Sequence, residues 1–398
     1  MNPSVLVFNS GSSSVKFALF RQSASGALER TLHGQIENIE VLPEFSAQLS
    51  SGKTFAQTLS AGVNANATRE GAFGFLLSWL RGGIEGASLV AAGHRVVHGE
   101  TRYSEPIIVD RNILATLETF VPLAPLHQGH NLAGIRTLFE IEPSLPQIAC
   151  FDTAFHATQR RIATLFALPR DLTSLGLRRY GFHGLSYEYI ASVLPEYLGA
   201  SAGGRIVVAH LGNGASLCAM LDRRSIATSM GFSPLEGLVM GTRPGTLDPG
   251  ILLYLMRERG MDLDAVTDLL YHRCGLLGVS GTSHDMRTLL ASDDPHAAEA
   301  VELFVHRAVV QIGGLVAQLG GLDALVFTAG IGEHAAPVRK RICEALGWLG
   351  LDFDDNANSR HGPRITTASS RCSAWVIPTN EELMIARHAL QLVGADRA

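Results

Sequence analysis

The chain has 398 residues, of which 46% are hydrophobic and 17% charged, and its formal net charge is -5. Such mild acidity excludes the basic field that wraps nucleic acid, and no run of ~18 apolar residues predicts a membrane span. At roughly 100–200 residues per domain, the length predicts a soluble protein of two domains. Only three residues are lysine, against 29 arginines, so the positions that keep lysine are of interest.

The compartment follows from the N-terminus and the cysteines. The start, Met1-Asn2-Pro3-Ser4, has neither the charged region nor the long apolar region of a secretory signal. The five cysteines are widely spaced and odd in number, which fits neither a zinc site nor a disulfide framework. We therefore expect a cytoplasmic protein.

One local pattern occurs twice. An apolar strand, a polar glycine turn and a second β-prone run occupy residues 5–20, and the same layout recurs at 206–221, where Ser216 aligns with Ser14. Strands alternate with amphipathic helices between the two copies. The sequence therefore predicts an α/β fold with a duplicated domain core and one glycine loop in each half.

The remaining elements fit this fold class. Strands are predicted at 88–92 and 147–151, and helices at 131–141, 186–198 and 296–319, with a further helix bracketed by Asp248, Pro249 and Gly260 and a last one starting at Thr379. Residues 50–69 are predicted to be a surface insertion. We expect a first domain at 1–150, a second domain at 151–382 and a C-terminal helix at about 383–398 that packs back on the first.

Four loops are candidates for phosphate binding. They follow apolar strands at 9–14, 210–216, 241–250 and 328–333 and are rich in glycine or serine. Glycines let the backbone approach an anion, and exposed amide and hydroxyl groups satisfy its oxygens. Walker A and dinucleotide fingerprints are both missing. The first loop would instead grip phosphate through hydroxyls, amides and Lys16, one of the three lysines.

Two arginines and two histidines lie in glycine-rich settings. Arg95 and Arg243 are flanked by glycines, and guanidinium groups complement the charge that phosphoryl transfer spreads over equatorial oxygens. His183 and His210 are suited to contact a phosphoryl group. Each of these residues alone is more often a surface or core residue than a functional one.

Two acidic positions complete the candidates. Asp152 follows the strand that ends at residue 151, where an α/β sheet presents groups to a ligand. In Thr379-Asn380-Glu381-Glu382 a capping box would use Thr379 and Glu382, which leaves Glu381 free to reach a metal. Mg²⁺ takes one or two protein carboxylates and completes its octahedron with water and substrate phosphates.

These motifs, in order along the whole chain, resemble the acetate kinase family. The matching blocks are 9–16, 94–99, 151–156, 181–184, 210–214, 230–250, 327–333 and 379–383. The resemblance implies two duplicated ribonuclease-H-like domains of the actin-like ATPase type, with an active-site cleft between them. It also implies ATP or ADP as substrate, Mg²⁺ or alternatively Mn²⁺, and a cytoplasmic homodimer.

The resemblance also assigns roles to residues. It implies a catalytic set of Asp152, Arg95, Arg243 and His183, with Asn9 and Glu381 as metal ligands. The acyl substrate would be held by Arg95, Val97, Leu126, Phe182 and Pro234. Nucleotide and phosphate contacts would come from Ser12, Ser14, Lys16, His210, Leu211, Gly212, Asn213, Gly214, Asp285, Met286, Arg287, Gly330, Ile331, Gly332, Glu333 and His334.

The chain departs from the family pattern at Glu100, Gln128, Tyr187 and His334, and none of these changes removes a charged catalytic group. The expected reaction is direct in-line transfer of the ATP γ-phosphoryl group to acetate, without nucleic acid or membrane partners. The alternatives are a propionate or other short-chain acyl kinase, a non-catalytic ATP-binding module of the actin or chaperone type, and a sugar kinase with Asp152 as base.

Overall fold

The computed structural model describes residues 2–11, 13–39, 42–59, 69–83 and 88–395. Two compact units are present. The N-terminal unit comprises Met1–Ala154 and Asn380–Ala398, and the C-terminal unit comprises Phe155–Thr379. Ser12, predicted to bind phosphate, lies outside the described residues.

The strands of the described residues, in chain order, are β1 (Pro3–Ser10), β2 (Val15–Gln22), β3 (Leu28–Glu37), β4 (Glu44–Leu49), β5 (Thr54–Thr58), β6 (Ser88–Val96), β7 (Ile107–Ile108), β8 (Gln147–Phe151), β9 (Ile206–Leu211), β10 (Ala215–Leu221), β11 (Arg224–Thr228), β12 (Ala324–Thr328) and β13 (Ser373–Val376). The helices are α1 (Arg69–Gly83), α2 (Arg111–Glu118), α3 (Gln128–Ile141), α4 (Arg161–Thr164), α5 (Arg170–Ser174), α6 (Gly184–Leu198), α7 (Pro249–Glu258), α8 (Leu263–Asp268), α9 (Gly275–Ser280), α10 (Met286–Leu290), α11 (Pro295–Leu319), α12 (Ala329–His334), α13 (Ala336–Ala345), α14 (Asp355–Ser359) and α15 (Glu381–Ala395).

The two units share a strand order. In the N-terminal unit the sheet runs β5-β4-β3-β2-β1-β6-β8-β7, and in the C-terminal unit it runs β11-β10-β9-β12-β13. In each unit an antiparallel hairpin, β1–β2 or β9–β10, is followed in the sheet by two parallel strands. The stretch β3-β2-β1-β6-β8 therefore repeats as β11-β10-β9-β12-β13, as the duplicated motif in the sequence predicts.

Helices cover both faces of the N-terminal sheet. On one face Phe8 and Phe17 pack with Phe73 of α1 and Leu138 of α3 in a continuous apolar core. On the other face α15 lies against β6. The two elements are very close, since a Cβ atom at Gly93 would overlap the side chain of Ile385. The missing side chain at Gly93 thus lets the start of α15 approach the end of β6.

The long helix α11 belongs to the core of the C-terminal unit. By length and composition alone it could cross a membrane, although the sequence predicts no membrane span. Its buried side chains, Val301, Phe304 and Ile312 among them, face β10 and the helices α9, α10 and α13. A core helix can be as long and as apolar as a membrane span. The packing of α11 in the C-terminal unit accounts for its apolar character.

The predicted cap of α15 is wrong by one residue. The side chain of Asn380, rather than that of Thr379, accepts the backbone N–H of Leu383 at 3.0 Å, so the helix begins at Glu381. Asparagine is at least as good an N-cap as threonine. Glu382 is then the second helical residue and lies 3.5 Å from Arg30, so the predicted capping box does not form.

One further prediction is made more specific by the structure, and another is corrected. The insertion predicted at 50–69 contains a strand, β5, which pairs with β4 at the edge of the sheet; residues 60–68 lie outside the described part. The glycine-rich stretch at 241–250 does not follow a strand, because residues 229–248 are irregular up to the start of α7. The predicted cap of α7 is confirmed, since Asp248 accepts the N–H of Gly250 at 2.8 Å.

Candidate active site

In the N-terminal unit, Arg95 and Asp152 lie at the carboxyl ends of neighbouring parallel strands. Arg95 is in β6, and Asp152 is the first residue after β8. Nε of Arg95 donates to Oδ1 of Asp152 at 3.0 Å, and its Nη2 donates to Oδ2. The pair is therefore bidentate, which is the strongest geometry for an arginine and a carboxylate.

Asn9 and Glu381 join this pair from two other elements. Nη1 of Arg95 donates to Oδ1 of Asn9 at 3.4 Å, and Nε of Arg95 lies 4.0 Å from Oε2 of Glu381. Asn9 lies near the end of β1, and Glu381 is the first residue of α15. The structure thus brings together four residues that sequence reasoning placed in the catalytic and metal-binding set.

Burial and the attraction of opposite charges compete in this cluster. Burial opposes the charge on Arg95, but the carboxylates of Asp152 and Glu381 outweigh that effect and raise the pKa of Arg95. Burial also disfavours the charged form of Glu381 and so raises the pKa of that carboxyl, although the Arg95 cation acts in the opposite direction. Arg95 therefore stays a cation, and its side chain keeps 22% of its surface exposed, enough to meet an anionic ligand.

The oxygen donors of the cluster suit Mg²⁺. Asp152 and Glu381 supply carboxylates and Asn9 supplies an amide oxygen, which are the hard ligands that Mg²⁺ prefers. Among the described residues no group of three or more His, Cys, Asp and Glu side chains could hold a metal. A site with one or two carboxylates, completed by substrate oxygens, is compatible with that finding.

Beyond β6, two amide side chains of α3 hold the backbone. Oδ1 of Asn131 accepts the N–H of Val97 at 3.0 Å, and its Nδ2 donates to the carbonyl of Ser10 at 2.6 Å. Gln128 binds both the N–H and the carbonyl of His98, at 3.1 and 3.0 Å. Val97 is buried and thus has a fixed position beside Arg95. Leu126, the other acyl-site candidate in this unit, is half-buried.

The first glycine loop is a tight turn of the β1–β2 hairpin. The N–H of Gly11 donates to the carbonyl of Ser14 at 2.8 Å. Lys16 is exposed and lies opposite Asn9 in the register of the hairpin. Ser14 is half-buried.

In the C-terminal unit, His183 stands where α6 begins. Its backbone is left-handed, with φ of 59°, a conformation that costs energy in a residue other than glycine and is typical of functional sites. Nδ1 of His183 lies 2.9 Å from Oγ of Ser216, which also bonds to the hydroxyl of Tyr187. The His183 ring stacks on His210 with centroids 4.2 Å apart.

The second glycine loop brings His183 and Arg243 to one point. A Cβ atom at Gly214 would lie 3.2 Å from Nε2 of His183 and 3.3 Å from Nη2 of Arg243. Nη1 of Arg243 donates to the carbonyl of Pro234 at 3.0 Å. The missing side chain at Gly214 therefore lets both of these donor-bearing side chains lie close to the backbone of the loop.

His210 extends this network away from the loop. Its Nδ1 lies 2.8 Å from Oγ of Ser186, which in turn lies 2.9 Å from Oγ1 of Thr379. Glu333 accepts the backbone N–H groups of Ala329 and Thr379, at 2.9 and 3.1 Å. Glu333 therefore ties the start of α12 to the segment that follows β13.

The acyl-site candidate Phe182 is supported by a buried histidine. Phe182 is itself buried, as is Pro234. Nε2 of His156 lies 3.0 Å from the carbonyl of Phe182, and Nδ1 lies 2.9 Å from Oγ of Ser225. Burial lowers the pKa of His156 to about 4, so this ring is neutral near pH 7 and its Nε2 donates to the carbonyl.

A cavity of about 450 Å³ adjoins the second loop. Its lining combines apolar and polar side chains of the candidate nucleotide site: Gly212, Asn213, His284, Asp285, Met286, Arg287, Leu290, Gly330, Ile331, His334, Ala335 and Pro337. A cavity of this volume, with apolar walls and a few polar groups, suits a small organic ligand. His210, Leu211, Gly214, Gly332 and Glu333 do not line it.

Two arginines organise the walls of this cavity. Hydrogen bonds from Arg287 lower the pKa of Asp285 to about 2, and Asp285 caps α10 through the N–H of Arg287 at 2.8 Å. Arg339 is fully buried. It donates to the carbonyls of Gly332 and Glu333, each at 2.8 Å, and so fixes the end of α12.

Sequence reasoning missed several of the residues that support the site. Gln128 and Asn131 lie three residues apart on one helix face, but nothing in the sequence shows that they reach β6. Ser216 was visible only as the partner of Ser14 in the repeat, and Arg339 only as one arginine of many. Their roles depend on contacts between residues far apart in the chain.

The repeated strand order and the glycine loops define a class of protein, the duplicated actin-like ATPases that transfer phosphoryl groups. A family model described as the Acetokinase family matches residues 4–387. The chain belongs to the Acetokinase family and is a phosphotransferase.

Individual relatives agree with this assignment. The chain is 52% identical to the acetate kinase of Rhodopseudomonas palustris over the full length of both proteins. A propionate kinase structure from Francisella tularensis superposes with a TM-score of 0.91 at 38% identity, over 98% of this chain and 99% of that one. The Porphyromonas gingivalis acetate kinase structure gives 0.89 at 33% identity, over 98% and 100%.

Proposed function

We propose that this protein catalyses the reversible, Mg²⁺-dependent transfer of the γ-phosphoryl group of ATP to acetate, giving acetyl phosphate and ADP. The observation that carries the proposal is Arg95, held bidentately by Asp152 two positions before the buried Val97. A fixed guanidinium beside an apolar side chain matches the two ends of acetate, a carboxylate and a methyl group.

The proposed chemistry needs no general base. A side-chain carboxyl has a pKa of about 4, and acetate, which resembles it, arrives ionised at neutral pH. One acetate oxygen attacks the γ-phosphorus in line, the bond to the β-bridging oxygen breaks, and ADP leaves with the electron pair. No proton moves in this step. The protein must instead overcome the repulsion between two anions.

The described residues offer cations and donors for that purpose. We assign Arg95 to the acetate carboxylate and Arg243 to the γ-phosphoryl oxygens, since guanidinium forks complement both. His183, next to Arg243 at Gly214, donates a hydrogen bond to a phosphoryl oxygen. Ser14 and Lys16 act on phosphate from the first loop.

Asn9, Glu381 and Asp152 are the residues that would hold Mg²⁺. When bound, Mg²⁺ would neutralise charge on the β- and γ-phosphate oxygens. The pairing of Asp152 with Arg95 means that one carboxylate serves both to fix the arginine and to balance charge in the site.

We assign the adenosine part of ATP to the cavity beside the second loop. Met286, Leu290 and Ile331 offer apolar surface for a base, and Asp285 and Asn213 offer polar groups for the ribose. The loop residues Gly212, Asn213 and Gly214 then lie next to the phosphates. His334, in the same wall, is the residue most able to alter nucleotide preference.

A propionate kinase is the second candidate, because one of the similar structures is described as a propionate kinase. It would use the same charged residues. One additional methylene is worth only about 1–3 kcal/mol in an apolar pocket, so discrimination rests on Val97, Leu126, Phe182 and Pro234. We propose acetate as the preferred acid and expect measurable activity on propionate.

We further propose a homodimer in the cytoplasm. Helix α7 buries none of its residues, and Leu253 and Tyr254 are 64% and 55% exposed. Contiguous exposed apolar residues mark interaction surfaces. None of the five cysteines forms a disulfide, as a reducing compartment would ensure. Sedimentation of the wild type and of Leu253→Lys tests the dimer, which the lysine is expected to weaken.

Hydroxylamine trapping tests the proposed reaction. Purified protein with MgATP, hydroxylamine and an acid is expected to form a hydroxamate, most efficiently from acetate, then propionate, then butyrate. Failure to form hydroxamate from any short acid while ATP still binds would identify a non-catalytic ATP-binding protein. ATP hydrolysis stimulated by sugars but not by acids would identify a sugar kinase.

A further inference from the structure

We propose that Tyr187, acting through Ser216, holds His183 as the neutral tautomer with its proton on Nε2. This inference rests on the proposed function, because it explains how His183 is prepared to donate to a phosphoryl oxygen. Tyr187 and Ser216 are then positioning residues for His183.

A short chain of hydrogen bonds carries the proposal. The hydroxyl of Tyr187 bonds to Oγ of Ser216, and Oγ of Ser216 lies 2.9 Å from Nδ1 of His183. Tyr187 and Ser216 are fully buried, so water does not compete for these groups. Tyr187 lies one turn after His183 on α6, and its N–H donates to the carbonyl of His183 at 3.1 Å.

The direction of the hydrogen bonds follows from the donors. Ser216 has a single hydroxyl hydrogen and two neighbours, so it can donate to only one of them. A phenol, with a pKa of about 10, is a more acidic and hence better donor than an aliphatic alcohol. Tyr187 therefore donates to Ser216, Ser216 donates to Nδ1 of His183, and Nδ1 is an acceptor. The proton of the neutral ring is then on Nε2.

The Nε2 edge is the one that faces the second glycine loop. A Cβ atom at Gly214 would lie 3.2 Å from Nε2, so a phosphoryl group bound at this loop would meet that nitrogen. Phosphoryl oxygens only accept hydrogen bonds, and a ring nitrogen that meets them must carry a proton. The opposite tautomer would direct a lone pair at the oxygens and repel them.

The ring itself has little freedom to turn. It stacks on His210 at an interplanar angle of 17°, and His210 is held by Ser186 at 2.8 Å. The left-handed backbone of His183 fixes where the side chain leaves the chain. A half-turn about the last side-chain bond would keep the ring plane but place Cδ2 where Nδ1 now meets Ser216, so the bond to Ser216 selects one of the two ring orientations.

Nitrogen NMR of histidine-labelled protein tests the proposal in the wild type. The His183 signals are assigned by their loss in His183→Gln. We expect an unprotonated Nδ1 and a protonated Nε2 at the pH of the assay. A protonated Nδ1, in either the other neutral tautomer or the imidazolium, would overturn the proposal without any further variant.

The variant Tyr187→Phe removes only the donor hydroxyl. The Nδ1 shift is expected to move toward the average of the two tautomers. Without the Tyr187 donor, Ser216 can either donate to Nδ1 or accept a hydrogen bond from it. The loss of one hydrogen bond of about 0.5–1.5 kcal/mol corresponds to a two- to twelvefold effect, so kcat should fall by about that factor while KM for ATP is unchanged.

Two controls separate a tautomer effect from a packing effect. Tyr197→Phe removes a hydroxyl from the same helix, where the ring packs against Trp375, and is expected to change neither kcat nor the His183 signals. Ser216→Ala should reproduce the effect of Tyr187→Phe, and the double variant should be no worse than either single one. An unchanged Nδ1 shift and kcat in Tyr187→Phe would contradict the proposal.

Failure of the proposed function gives a different result. If the wild type forms no hydroxamate from any acid, the phosphotransfer proposal is wrong, and the kcat comparison has no meaning. The nitrogen shifts then still show whether Tyr187 and Ser216 set the tautomer of His183. If the wild type is active and the shifts do not respond, only the tautomer proposal is wrong.

Discussion

Nε of Arg95 donates to Oδ1 of Asp152 across 3.0 Å. Asp152 follows a buried strand and is itself 1% exposed, so it is a fixed anion against which the guanidinium is oriented. A carboxylate that accepts two hydrogen bonds from arginine has little capacity left to take a proton from a sugar hydroxyl. The pair thus favours a protein in which Arg95 holds an acid over a sugar kinase in which Asp152 acts as the base.

Removal of either Arg95 or Arg243 is expected to abolish most of the catalysis. In Arg95→Ala and Arg243→Ala, kcat for acetyl phosphate formation should fall by about two to four powers of ten, the range for charged groups that act on the transition state. Hydroxamate formation measures this loss. Arg341→Ala, on an exposed position of α13, serves as the control. Near-wild-type turnover in either variant would remove that arginine from the mechanism.

The side chain of Val97 is expected to limit the length of the acid. Because Asn131 holds its backbone, truncation should enlarge the pocket without moving the chain. Val97→Ala should change the acetate-to-propionate ratio of kcat/KM by about 1–3 kcal/mol, that is, roughly five- to 150-fold in favour of propionate. Steady-state kinetics on both acids measure this ratio. An unaltered ratio would mean that Val97 does not contact the acyl group.

Buried neutral histidines make the fold sensitive to acid. Burial lowers the pKa of His156 to about 4, well below the unfolded value of about 6.5. The stabilisation is therefore present above pH 6.5 and is lost as the pH falls toward 4, because the unfolded chain binds the proton first. His94 and His98, with pKa values lowered by burial to about 3 and about 4, act in the same direction.

Urea unfolding at several pH values measures this effect. The contribution of His156 should approach about 3 kcal/mol near pH 4, at 1.36 kcal/mol per pH unit. His156→Gln, which keeps a donor for the carbonyl of Phe182, should reduce the slope of the unfolding free energy between pH 6.5 and 4. His306→Gln, on an exposed position of α11, should leave the slope unchanged. Equal slopes in wild type and His156→Gln would refute the assignment.

Arg339 is expected to support both stability and nucleotide binding. Arg339→Leu would leave the carbonyls of Gly332 and Glu333 without their donor, at a cost of about 1–3 kcal/mol for the buried carbonyl of Gly332 and less for the half-buried carbonyl of Glu333. The end of α12, which lines the nucleotide cavity, would loosen, and the Kd for MgADP should rise. Calorimetry and urea unfolding measure the two effects. Arg341→Leu is the matched control, and normal ADP affinity in Arg339→Leu would contradict the role.

Sequence patterns predicted those parts of the fold that depend on near neighbours. The duplicated hairpin, the strand at 147–151 and the cap at Asp248 were all readable because each depends on residues close in the chain. The cap at Thr379 was misplaced because Asn380 can play the same part, and the choice depends on Thr379 bonding to Ser186, 193 positions away. The strand β5 was missed because its polar residues are ordered by pairing with β4.

The candidate site shows the same division. Asn9, Arg95, Asp152 and Glu381 were each identified from local motifs and resemblance. That Arg95 meets the other three is a result of the strand order β1-β6-β8 and of the close packing of α15 on Gly93. The link from Tyr187 through Ser216 to His183 could not be read from the sequence, because it joins a helix to a strand about thirty residues away.

The central claim is that an acetate oxygen attacks the γ-phosphorus of ATP, and an isotope experiment tests it most directly. The enzyme is supplied with MgATP and acetate labelled with oxygen-18 in its carboxylate, and the acetyl phosphate is cleaved with hydroxylamine at the acyl carbon. Mass spectrometry of the released phosphate should find one oxygen-18 atom in each molecule. Phosphate that carries no label, or a reaction that yields no hydroxamate, would contradict the account.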